Sequence, residues 1–317
     1  MATINIGEIV TTTLRNRSKQ LSDNVLNHNS LFMVLNQKGN VRDADGGREI
    51  VEELEYAENG TAGWYTGYEV LDITPQEVFD AATYDWKQLA GNVSISGLEE
   101  MKNSGKNRII PLLQKRITNL EKTLKNRVGT AVYSNGTTDP KAIGGLQLLV
   151  ADDPTAASTI GGIAQATYTF WRNQYSAAAA TSSGNIQARM NLMWLACVRG
   201  VDKPDVIPAD SVMYTHYENA LTQYQRFSGS ENGALAKGGF SSLMYKTAEV
   251  VYDDQAPASH MYMLNTDYIY LRPHSDRKFV PLDDRNSINQ DAKVIPVVWG
   301  GNMTCSNRSL QGVIIAS

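Results

Sequence analysis

Ile109, Leu113, Ile117, Leu120, Leu124 and Val128 step along the chain by three or four residues, the clearest helical signature it contains. That spacing lines one face of an α-helix, and a stripe of this length has to be covered by something. Pro111 is tolerable only in a first turn, so the helix starts near Ile109. Gly129 is a weak point, and Asn135-Gly136 supplies the stop. The polar face is basic: Lys115, Arg116, Lys122, Lys125 and Arg127 stand against Glu121 alone. Such a face suits plain solvation or an anionic neighbour equally well.

The segment before it has the opposite charge. From Asn40 to Ile95 the chain turns rich in β-branched and aromatic residues, opening at Gly46-Gly47 and punctuated by Gly60, Gly63 and Gly67. Trp64 to Ile73 and Val78 to Leu89 are expected as long strands, and Val93-Ser94-Ile95-Ser96 alternates cleanly. Together they predict a long two-stranded excursion with a flexible tip, ended by Asn103-Ser104-Gly105. Over residues 42–85, Glu52, Glu53, Glu55, Glu58 and eight further acids face only Arg42 and Arg48. A two-stranded ribbon is marginal alone in water and needs support from another surface. Residues 1–39 read as broken amphipathic helix, with a restart at Ser22-Asp23 and the apolar run Leu31-Phe32-Met33-Val34-Leu35. This arm has little core of its own, and its support is either the same chain or a partner.

Beyond the helix the chain alternates short strands and helices. Gly144 to Val150 is expected as a turn and a strand, Ile186 to Val198 as a helix, Ser211 to Thr215 as a strand followed by a helix, and residues 228–239 as a glycine-rich loop. Ala248 to Tyr252, Tyr268 to Leu271, Val294 to Val298 and Leu310 to Ile315 are further strands. No βαβ rhythm appears, so the fold class is α+β rather than doubly wound. Hydrophobic residues at 42% and charged residues at 20% of 317 are globular values, ample for a large core.

Chemistry is poorly represented. There is no P-loop, no dinucleotide fingerprint and no nucleophile elbow. His28, His216, His260 and His274 are scattered without ligand spacing. The pairs Asp152-Asp153, Asp253-Asp254 and Asp283-Asp284 suit turns and caps better than a calcium loop. Cys197 and Cys305 form no disulfide framework and fit a reducing compartment. No catalytic residue, metal or cofactor is expected, nor a signal peptide or membrane span. A net charge of -4, from 29 basic and 33 acidic residues, disfavours a strongly basic nucleic-acid binder.

What the residues do describe is an interaction protein. Arm, acidic ribbon and basic helix all need a neighbour, and ribbon and helix are complementary in sign. In a symmetric homo-oligomer one subunit's ribbon could lie on the next subunit's helix, a heterologous contact that closes into rings. The ion pairs would fix register, while Trp64, Tyr65, Tyr68 and Trp86 would supply most of the energy.

The order of arm, acidic ribbon, long helix and mixed body resembles the major capsid protein of tailed bacteriophages over nearly the whole chain. Gly46-Gly47-Arg48-Glu49-Ile50 is similar to the entry to that family's extended loop, and Val93-Ser94-Ile95-Ser96-Gly97 to its exit into the spine helix. Ile160-Gly161-Gly162-Ile163 with Phe170-Trp171-Arg172-Asn173, Tyr262 to Tyr268, and Gly301-Asn302-Met303-Thr304-Cys305-Ser306-Asn307-Arg308 with Gln311-Gly312 carry the rest of the likeness. The resemblance implies an N-terminal arm at 1–39, an extended loop at 40–95, a peripheral domain with the spine helix at 96–183, an axial domain near 184–253 and return strands of the peripheral domain at 254–317. It implies pentamers and hexamers tiling an icosahedral shell around double-stranded DNA in a virion made in a bacterial cytoplasm. Scaffold, portal and decoration proteins are the implied partners, with no cofactor. The same fold serves encapsulin shells, which enclose protein cargo, and an α+β enzyme or ligand binder is a more distant alternative. Some members weld the shell through a lysine–asparagine bond; Lys87 with Asn302 or Asn307 has no sequence feature to favour it.

Overall fold

The computed structural model describes residues 29–102, 112–176, 181–222, 242–283, 285–286 and 290–316. The expected arm up to residue 28, the helix start near Ile109 and the glycine-rich loop at 228–239 lie outside them.

Helix α1 (Ser30–Gln37) is capped by Asn29, whose side chain accepts from Phe32 N at 2.8 Å and donates to the Gly129 carbonyl at 3.2 Å. Leu31, Val34 and Leu35 are buried, so this part of the expected arm packs on its own chain. Strands β1 (Ile50–Glu55) and β2 (Phe79–Tyr84) pair antiparallel, Ile50 opposite Tyr84 and Glu55 opposite Phe79. Strand β3 (Lys87–Ser96) and helix α2 (Gly97–Lys102) follow, then the spine helix α3 (Leu112–Ala131) and the one-turn helix α4 (Leu146–Leu149). Next come β4 (Thr159–Ile160), β5 (Ile163–Ala164), β6 (Gln174–Ser176), helix α5 (Ile186–Cys197), β7 (Val206–Ala209) and helix α6 (Ser211–Thr222). The chain closes with β8 (Ser242–Tyr245), β9 (Ala248–Tyr252), β10 (His260–Met263), β11 (Ile269–Pro281), β12 (Arg285–Asn286), β13 (Ala292–Cys305) and β14 (Gly312–Ile315). The sheets are mostly antiparallel and the helices pack against them, the expected α+β class.

Two sheets organise the body. Long β13 is central to the first, with β3 on one edge and β11 and β12 on the other, all antiparallel. The spine helix lies against β3 where Gly91 offers bare backbone: a Cβ there would stand 2.5 Å from Leu120. The second sheet runs β6-β14-β10-β7-β9-β8. Its pleat divides its side chains between two cores. Met261, Met263, Ile314, Ile207 and Val250 point to a cluster under α5 and α6, while Tyr262, Leu264 and Val313 join the larger cluster beneath α1, α3 and the first sheet.

Several expectations are corrected. Trp64 to Ile73 forms no strand; the ribbon is six residues a side, and 56–78 is irregular. Val78 to Leu89 is not one strand, because the chain breaks at Asp85-Trp86 and Lys87 onward joins β13. Gly144 to Val150 is a short helix, not a strand. Gly145 docks on the spine helix's end, where a Cβ would meet backbone atoms of Ala131, Val132 and Ser134 at 2.4–2.5 Å, and Leu146 N bonds to the Val132 carbonyl at 2.7 Å. Ser211 to Thr215 is helix, because Asp210 accepts from Met213 N at 2.8 Å and caps it; the strand lies one step earlier, at Val206–Ala209.

Candidate assembly surface

The ribbon alternates as a strand with one wet face. Ile50, Glu52 and Leu54 point inward, and Val51, Glu53 and Glu55 outward. Glu52 is therefore not on the outer acidic face. Its carboxylate accepts from Arg272 Nε at 2.8 Å and Nη2 at 3.0 Å, and from Thr304 Oγ1 at 2.8 Å, which ties the ribbon's inner face to β11 and β13. Arg42 and Arg272 each stand near the Tyr270 ring, 4.7 and 4.9 Å from its centroid. Tyr84 donates its hydroxyl to the Cys305 carbonyl at 2.9 Å, and burial pushes its phenol well above the ordinary range. The turn Gly161-Gly162, with φ of +61° and +79°, lies under β2, and Thr83 N donates to the Gly161 carbonyl at 2.9 Å. Trp86 also belongs to this base rather than to an outward surface: its indole N–H donates to the Gly47 carbonyl at 3.0 Å, and its ring is 5.3 Å from His274.

Beyond this anchored base the chain projects. Tyr56 stacks on Phe170 at 4.8 Å and donates to the Glu77 carbonyl at 2.8 Å. Past it, Trp64 and Tyr68 are fully exposed, and Tyr65, Val70, Leu71 and Ile73 mostly so. Local turns give this tip its shape. Glu69 accepts from Thr66 N and Oγ1 at 3.0 and 2.9 Å, which holds its carboxyl below the usual range, and Asp72 is lowered likewise by bonds from Thr74. The tip thus presents a run of exposed apolar side chains. Glu53, Glu55 and Glu58 line the approach to it and are exposed.

On the spine helix Lys115, Lys125 and Arg127 are exposed and Lys122 half-buried. Arg116 turns inward instead. It donates to both oxygens of Glu99 at 3.0 and 3.2 Å and to the Ser94 carbonyl at 2.9 Å, and this bonding holds Glu99 below the usual carboxylate range. Its position beside the apolar stripe, three after Leu113 and four before Leu120, carried that signal.

The closing motif is structural. Arg308 is fully buried and donates to the carbonyls of Leu149 and Trp171 and to the side-chain oxygens of Gln165 and Asn173 at 2.6–3.1 Å. Burial brings its pKa down to about 10. Asn302 accepts from Gly144 N at 3.1 Å and Met303 N at 2.9 Å and donates to the Asp85 carbonyl at 2.8 Å; Lys87 donates to the Pro140 carbonyl at 2.9 Å. Burial pushes the thiols of Cys197 and Cys305 up to about 12, where they are poor nucleophiles at neutral pH. Among the described residues no cluster of histidine, cysteine and carboxylate could hold a metal, and no helix is long and apolar enough to cross a membrane.

No protein-family model matches the chain, and no curated protein does. Solved structures match it end to end. A chain of the cyanophage A-1(L) capsid asymmetric unit is 18% identical with a TM-score of 0.74, over 96% of this chain and 97% of its own. The capsid of the native GTA particle is 11% identical with a TM-score of 0.63, over 96% and 95%. The holo-SrpI encapsulin of Synechococcus elongatus PCC 7942 is 7% identical with a TM-score of 0.59, over 99% and 96%. The class these matches define is a shell-protein fold. More narrowly, the chain has the major capsid fold of tailed bacteriophages, with the anchored ribbon, spine helix and two sheets in one chain.

Proposed function

We propose that this chain is the major capsid protein of a tailed bacteriophage. Its copies assemble into pentamers and hexamers of an icosahedral shell that encloses double-stranded DNA in the virion. The observation that carries the reading is the fold match to the cyanophage A-1(L) capsid over 96% of this chain and 97% of that one. A projecting tip with Trp64 and Tyr68 fully exposed supports it, because such a tip gains cover only in an assembly.

In this reading residues 40–95 form the extended loop, and the exposed acids Glu53, Glu55 and Glu58 meet Lys115, Lys122, Lys125 and Arg127 of the next copy. The spine helix and first sheet form the peripheral domain. The six-stranded sheet with α5 and α6 forms the axial domain, built from residues near 184–253 together with β6, β10 and β14, so that β10 and β14 leave the peripheral domain expected for 254–317. Scaffold, portal and decoration proteins are the further partners. The mild negative charge suits a container that does not grip its genome, since each neutralised phosphate tightens binding.

The encapsulin match keeps protein cargo as the second reading. Nuclease treatment of the purified particles separates the two. Protected double-stranded DNA is the expected result, and particles holding a folded enzyme without DNA would favour the cargo shell.

A further inference from the structure

The fold divides the aspartate pair at 152 and 153 between two tasks. Asp153 accepts from Thr155 N and Oγ1 at 2.9 and 2.5 Å and closes a turn. Asp152 faces away from that turn toward His260, whose Nε2 lies 3.2 Å from each of its carboxylate oxygens. On the other side of the ring, Nδ1 lies 2.6 Å from the Ala258 carbonyl oxygen. A carboxylate and a carbonyl can only accept. Both contacts are hydrogen bonds only when both ring nitrogens carry a proton, which is the imidazolium form. A neutral ring turns a lone pair toward one of the two oxygens.

The pair joins parts of the chain 108 residues apart. Asp152 follows α4, whose Leu146 and Leu149 belong to the larger core, and His260 opens β10, near the middle of the six-stranded sheet. The other groups around the ring do not replace the contact. Asp210, at the end of β7, already accepts from Met213 N and Ser259 N. Tyr262 stacks on the imidazole at 5.9 Å, and its buried hydroxyl has no hydrogen-bond partner among the described residues. Ile315, opposite His260 in the ladder, gives its carbonyl to Arg189 at 3.0 Å.

We propose that His260 and Asp152 form a proton-dependent latch that holds the 150–158 loop onto the six-stranded sheet. The latch is closed while the imidazole is charged and released when it becomes neutral. Burial pushes the His260 imidazolium down, but the bonds to Asp152 and the Ala258 carbonyl, with the charges of Asp152 and Asp210, outweigh burial and hold it above its ordinary value. A group raised on folding contributes fully below its unfolded value of about 6.5 and loses that contribution as pH climbs through the folded value. The latch therefore opens as pH rises past the ordinary imidazole range.

Hydrogen–deuterium exchange of the full-length chain, corrected for the intrinsic pH dependence of exchange, tests this at about pH 6 and about pH 8.5. In the wild type, protection of the peptide over 151–158 is expected to fall at the higher pH. In D152N and H260Q the same peptide is expected to show the lower protection at both. A wild-type peptide indifferent to pH, or an H260Q chain with the wild-type response, would overturn the proposal. H260Q decides alone if D152N does not fold.

Discussion

Arg272 and Glu52, 220 residues apart, meet as a two-point fork of 2.8 and 3.0 Å beneath the ribbon. The fork is nearly closed to water, with Glu52 7% exposed, and Thr304 adds a third bond to the same carboxylate. This contact docks a marginal two-stranded ribbon on the first sheet and fixes where the projecting tip begins.

Breaking the fork from one side leaves a buried charge without its partner. Arg272→Met is expected to cost about 3–5 kcal/mol of stability. Urea unfolding of subunits would register it, and a loss under about 1 kcal/mol would mean the pair is more solvated than its burial indicates.

The two outward acids of β1, Glu53 and Glu55, separate folding from assembly. Glu53→Lys with Glu55→Lys changes only exposed positions, so subunits are expected to fold with stability within about 0.5 kcal/mol of wild type yet to assemble poorly. Adding Glu52→Lys is expected to unfold the ribbon base as well. Normal particles from the double variant, seen by light scattering, would remove the acidic ribbon from the interface.

Trp64→Ala and Tyr68→Ala remove fully exposed rings. Subunit melting is expected to be unchanged, while assembly is impaired as expected for buried aromatic anchors worth about 2 kcal/mol or more each. Equal losses in both measurements would place the tip in the subunit's own core.

Gly145→Ala puts a methyl group within 2.4–2.5 Å of three backbone atoms at the end of the spine helix. A loss of about 1–3 kcal/mol is expected. Thermal unfolding measures it, and an unchanged midpoint would show that the turn shifts freely.

The parts legible in the sequence were those written in local periodicity. The spine helix, α5 and the strands at 248–252 and 294–298 follow from spacing alone. The inward turn of Glu52 was also present in the pattern, since it shares parity with Ile50 and Leu54, but its charge argued for solvent. Arg272, its partner, lies too far along the chain for any local signal. The same distance hid the Arg308 cage, whose four acceptors come from residues 149 to 173. Trp64 to Ile73 misled because β-branched and aromatic residues mark a surface that packs, whether or not it pairs as a strand.

Electron microscopy of the purified full-length chain tests the central claim most directly. Closed shells, or rings of five and six subunits, are the expected result. A monodisperse monomer at high concentration, unchanged when a candidate scaffold protein is added, would contradict it.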